Sequence, residues 1–219
     1  MCFNPETSLI SFSIGFVSWI ILLYLKLYTA AIIVIDLFII QLLEYFAHKS
    51  IIDKNEYMNT LSSKLIFIFV LIQPLVYYLS SFFANTRYII KSATKYLFLI
   101  PIYTILCIIF YYYLNNKNVF KTTYLNDSCK SICRLSWDYF GYNKIFSFII
   151  FILYFTICIL FLKPPTLHYF AEILILIAII YTLILSREIK TVFSIFGSIW
   201  CFLSVTYGPL VILKHYKLF

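Results

Sequence analysis

The sequence predicts an all-α, polytopic membrane protein: a single bundle of seven transmembrane helices. Three observations carry this. The chain is 63% hydrophobic and 12% charged, whereas a soluble domain carries about 25% charge and about 45–50% apolar residues. Its mean hydropathy is +0.95. Its apolar residues fall in runs of span length, about 20 residues, divided by short polar breaks. Residues 1–219 then form one transmembrane domain, with no room for a separate soluble one.

The expected spans are 8–25, 28–47, 65–83, 96–114, 145–162, 167–185 and 192–213. The first is preceded by Asn4-Pro5-Glu6, which suits a helix start: a favoured N-cap, a proline at the first helical position and an acid near the positive end of the dipole. No basic n-region or small-residue cleavage site precedes it, so this run is expected to stay as a membrane anchor. The Tyr24-to-Thr29 stretch, with Lys26 between tyrosines, reads as a tight interfacial turn. Gln73-Pro74 falls inside the third span and Pro101 inside the fourth, each a kink signal. The long polar stretch 115–144 separates spans four and five. In it, Cys129 and Cys133 are spaced for one helix face, and Trp137 and the nearby tyrosines suit an amphipathic helix at the headgroups. Lys163-Pro164-Pro165 divides spans five and six, and Ser186 to Lys190 divides the last two. No internal repeat relates the first three spans to the last three.

The net charge of +8 comes from Lys and Arg placed between apolar runs, where they set topology and meet lipid headgroups. The expected partner is the bilayer, with a small ligand or ion in the bundle, and not nucleic acid. The breaks on the N-terminal side, here side A, hold more Lys and Arg than those on side B, which puts the N-terminus in the cytoplasm. Asn126-Asp127-Ser128 opposes this, since a glycosylation acceptor is used only in a lumen. The cysteines form no secreted disulfide framework, and Cys129 with Cys133 offers too few ligands for zinc. No cofactor or metal is expected.

Ionisable groups inside spans are costly and so informative. Asp36 falls near the middle of the second span. Glu44 and His48 lie nearer side A, about 40° apart around the helix, with Gln41 on one flank and Asp36 about 80° away on the other. The functional reading of this stripe is a proton, ion or ligand path; the plainer one is a polar clamp between helices, with His48 interfacial. Glu172 and His168 are expected near side B, with Lys163 as partner. HExxH and GxSxG are absent. The three histidines split between the two sides, and no lysine sits in the middle of span six or seven, which excludes a retinal Schiff base.

The opening Met1-Cys2-Phe3, with Glu6 and Ser8, resembles a family of small polytopic membrane proteins of large DNA viruses, algae and bacteria. These begin Met-Cys-(Trp or Phe)-Ser-x-Glu-x-Ser; Asn4 here replaces the first serine. Further echoes are Glu44 in the second span, Gln73-Pro74-Leu75 in the third, Cys133-Arg134-Leu135 with Trp137, and Ser198 to Phe202 in the last. The resemblance implies a polytopic helical fold and no mechanism. It also implies that Cys2, Glu6, Glu44, Gln73, Trp200 and Cys201 belong to one constellation. Cys2 and Glu6 are accordingly expected to face inward near Glu44, with Arg134 or Lys49 as the neutralising cation.

Three functions fit these residues. The first is a transporter, channel or ligand-binding bundle with a polar pocket open to side A. The second is a structural or assembly protein held by polar clamps. The third is a membrane-embedded enzyme using Cys2 with Glu44 or His48 as base.

Overall fold

The computed structural model describes residues 4–83, 97–124, 135–161 and 205–218, with Thr94, Ile177 and Ile180. The described chain is mostly helical. Its helices are α1 (Pro5–Tyr24), α2 (Tyr28–Ile52), α3 (Glu56–Phe83), α4 (Leu99–Asn116), α5 (Lys144–Phe161) and α6 (Tyr207–His215). The first four contain segments long and apolar enough to cross a membrane. α5 is apolar along its described length. Of the expected sixth and seventh spans, α6 is the described helix; Glu172, His168 and Lys163 lie outside the described residues.

Asn4 caps α1 as expected, its Oδ1 accepting the Thr7 N–H at 2.7 Å. The helix ends at the predicted turn. Leu27 N–H donates to the Leu22 carbonyl and Lys26 N–H to that of Leu23, and Lys26 has φ 57°. This left-handed closure satisfies carbonyls that the helix end leaves open. α2 ends the same way, with Lys54 at φ 53° and Asn55 N–H on the Ser50 carbonyl.

The short turn lays α1 against α2 in the opposite direction. The buried side of α1 is Ser8, Ser11, Gly15, Ser18 and Leu22. Spacings of three and four in alternation make a narrow seam of small side chains, which lets two backbones approach closely. A Cβ added at Gly15 would lie 2.5 Å from the Phe38 Cβ. α2 also packs against α3 and α6, and α5 packs against α3 and α4. Among the described helices α2 is therefore the interior one, buried along much of its length.

Three expectations are corrected by the fold. α3 starts at Glu56, not at 65, because its polar first turns hold Asn59, Ser62 and Ser63, all buried. The stretch 115–144 is not an amphipathic interfacial helix where it is described, and the architecture is not purely α. It forms a two-stranded antiparallel sheet, β1 (Thr122–Tyr124) with β2 (Leu135–Trp137), then a 3-10 turn, Asp138–Gly141. Trp137 is buried rather than set among headgroups. Phe120, Tyr139 and Phe140 pack around Phe67 of α3, with ring centroids 5.3–5.7 Å from it. Burying that aromatic surface holds the connection onto the side A end of the bundle. Pro101 does not kink α4: it lies in the first turn, where its missing N–H would have no intrahelical acceptor.

Candidate functional site

α2 carries buried polar groups at two levels. Asp36 lies about 12 Å of helix rise from Tyr28, in a helix long and apolar enough to cross a membrane. Only 3% of its surface is exposed. Its polar neighbour across the helix contact is the Gln73 side chain of α3. Gln73 is buried too, and its Oε1 accepts a hydrogen bond from the Tyr154 hydroxyl of α5. Cys158, one turn beyond Tyr154 and buried, lies in electrostatic reach of Asp36.

Pro74, next to Gln73, lies inside α3 and deprives the Val70 carbonyl of its helical donor. Beside that point the buried Tyr103 hydroxyl of α4 donates to the Leu71 carbonyl at 2.8 Å. Tyr103 is in electrostatic reach of both Cys107 and Cys158. Three helices thus bring hydroxyl, thiol and amide groups to the Pro74 turn of α3, beside Asp36 of α2. The arrangement can hold a proton or a small polar ligand between helices, and it can also fix their packing.

The second level is nearer side A. Gln41, Glu44 and His48 are all buried, Glu44 and His48 completely. His48 is therefore not interfacial as expected. Tyr124 of β1 covers it, its hydroxyl 3.4 Å from Nδ1 and the two rings 5.6 Å apart. Burial raises the Tyr124 phenol above its ordinary pKa, so the group over His48 is a neutral hydroxyl at physiological pH. Asn59 and Ser63 of α3 hold Thr122 beside it. The described residues close this end of the bundle over Glu44 and His48.

Glu6 does not join Glu44. It is exposed in the first turn of α1. Ser8 lies on the seam with α2, and Glu6 is about 160° round the helix from it, so the close α1–α2 contact turns Glu6 outward. Lys49 is not the partner of Glu44 either; it pairs with Asp53 at 3.8 Å on the surface. Cys2, Arg134, Trp200 and Cys201 lie outside the described residues, as do Asn126, Cys129 and Cys133. Of the expected constellation, Glu6, Glu44 and Gln73 are described, and of the further polar-pocket candidates Asp36 and Gln41 are.

Tyr103, Tyr154 and Cys158 were not foreseen as site residues. A signal was present: Tyr-x-x-x-Cys occurs in both the fourth and fifth spans, which puts hydroxyl and thiol on one helix face. Tyr124 and Asn59 gave no such signal. Comparison of the chain with protein-family models, curated proteins and solved structures finds no match.

Proposed function

We propose that this is a seven-span integral membrane protein, with its N-terminus in the cytoplasm, that binds and passes a proton or small cation through its bundle by way of Asp36. The observation that carries the reading is the placement of Asp36: a carboxyl deep in a span, buried, and faced among the described residues by the Gln73 amide rather than by a cation. A charged carboxylate in hydrocarbon costs at least about 2.5 kcal/mol. The group is tolerable there when it carries a proton or holds a cation, and exchange of that proton or cation is the elementary step of a path. Gln73, Tyr154 and Tyr103 supply hydroxyl and amide groups at the same level. Glu44 and His48 extend the stripe toward side A, and kinship with the viral and algal family would add Cys2, Trp200 and Cys201 to it.

The test is ion flux in proteoliposomes loaded with a pH-sensitive dye, under an imposed proton or cation gradient. Wild-type protein dissipates the gradient and Asp36→Asn does not, while both melt cooperatively. Equal flux in the two, or none above protein-free vesicles, rejects the path. A second reading, a structural protein with polar clamps, is favoured by the Tyr154–Gln73 and Tyr103–Leu71 hydrogen bonds, which tie α3 to its neighbours. It expects no flux, and a loss of stability when those bonds are removed.

A further inference from the structure

A polar recess of about 500 Å³ opens at the side A end, between the α2–α3 turn and the segment leading into β1. Its walls include Lys54, Asn55, Glu56, Thr60, Lys121 and Thr123. Its volume is within the range of small-molecule sites, about 300–1,000 Å³. The recess shares Asn59, Thr122 and Tyr124 with the cover over His48, but neither Glu44 nor His48 lines it.

Its charges are arranged for an anion. Among the described residues, neither Lys54 nor Lys121 is paired with a carboxylate, and Asp53, the nearby acid on the same turn, is occupied by Lys49. Lys54 is held at φ 53° by the closure of α2, and Lys121 directly precedes Thr122, which Asn59 grips. Both lysines are thus anchored at the backbone. The N-terminus of α3 meets the recess. Asn55 satisfies the Met58 N–H, and the N–H groups of the first turn ahead of it have no intrahelical acceptor. They add a partial positive charge. Glu56 offsets one lysine, so the recess carries a single formal positive charge. Exposed Ile52 and Tyr57 flank the turn, as apolar and aromatic side chains do at the level of lipid headgroups.

We propose that this recess binds a phosphodiester that carries no compensating cation, the net-anionic headgroup of an acidic phospholipid, between Lys54 and Lys121 at the start of α3. One net positive charge matches a phosphodiester better than a dianionic phosphate monoester. A water-soluble phosphodiester offers the same chemistry without acyl chains.

The experiment uses the full chain in maltoside micelles, with binding followed by native mass spectrometry and by the shift in melting temperature. The probes are phosphatidylglycerol, glycerophosphoglycerol (the same headgroup without chains) and phosphatidylcholine. Phosphatidylglycerol is expected to bind and to raise the melting temperature. Lys54→Gln and Lys121→Gln should each weaken it roughly fivefold. Glu56→Gln should strengthen it, and Lys26→Gln, at the opposite end of the bundle, should leave it unchanged. Equal binding of glycerophosphoglycerol identifies a soluble phosphodiester as the ligand; binding of phosphatidylglycerol alone identifies the lipid. Three results overturn the site: phosphatidylcholine held as tightly as phosphatidylglycerol, binding unchanged in the two lysine variants, or weaker binding in Glu56→Gln.

Discussion

Asn59 holds Thr122 by both backbone polar groups: its Nδ2 donates to the Thr122 carbonyl at 2.9 Å and its Oδ1 accepts the Thr122 N–H at 2.9 Å. The side chain acts as one more rung of a β ladder. It pins β1 to α3, and the Ser63–Thr122 hydroxyl contact at 2.6 Å reinforces it. Asn59→Ala leaves two buried backbone groups without partners, at about 1–3 kcal/mol each. The expected result is faster amide exchange over 118–124 and a lower melting temperature in detergent. Exchange in that segment unchanged from wild type would show that the aromatic packing on Phe67 suffices to hold it.

The α1–α2 seam makes a second prediction. A methyl group at Gly15 meets the Phe38 Cβ at 2.5 Å, and both atoms belong to helix interiors that cannot easily move apart. Gly15→Ala should destabilise by about 1–3 kcal/mol through overpacking, although alanine is the better helix former. Thermal unfolding in one detergent measures it, with the exposed Val17→Ala as the reference substitution.

Lys26 predicts a change of the opposite sign. A non-glycine residue at φ 57° bears a steric cost of about 1–2 kcal/mol, partly offset on replacement by the greater backbone entropy glycine loses. Lys26→Gly should raise stability by about 0.5–1 kcal/mol. A lower melting temperature would mean that the lysine side chain itself contributes at the membrane surface.

The Tyr154–Gln73 hydrogen bond is testable as a coupling. Tyr154→Phe and Gln73→Leu, singly and together, form a double-mutant cycle on unfolding free energy. Interhelical hydrogen bonds in membrane proteins average about 0.6 kcal/mol of coupling. A value near that, with flux unaffected, assigns the pair to packing. Loss of flux in Tyr154→Phe at unchanged stability places the hydroxyl on the Asp36 path.

Much of the helical frame is legible in the chain. Hydropathy marks the spans, because hydrocarbon tolerates few charges and demands internal backbone pairing. Asn4 and Pro5 mark the start of α1 and Lys26 the turn after it, since capping and left-handed closure are local events. The same cost argument put Asp36 and Glu44 inside, and both are buried. Other features were decided by tertiary structure. The polar start of α3 read as loop because the partners of Asn59 and Ser63 lie some sixty residues away, beyond any local pattern. His48 read as interfacial because helix periodicity gives its face but not the tyrosine that covers it. Glu6 read as inward because sequence gives its membrane side, whereas its outward direction depends on which stripe of α1 meets α2. The convergence of Tyr103, Tyr154, Cys158 and Asp36 near Gln73 and Pro74 follows from the packing of four separate helices. Each helix records its own periodicity in sequence; their relative rotation is set by how the side chains between them fit.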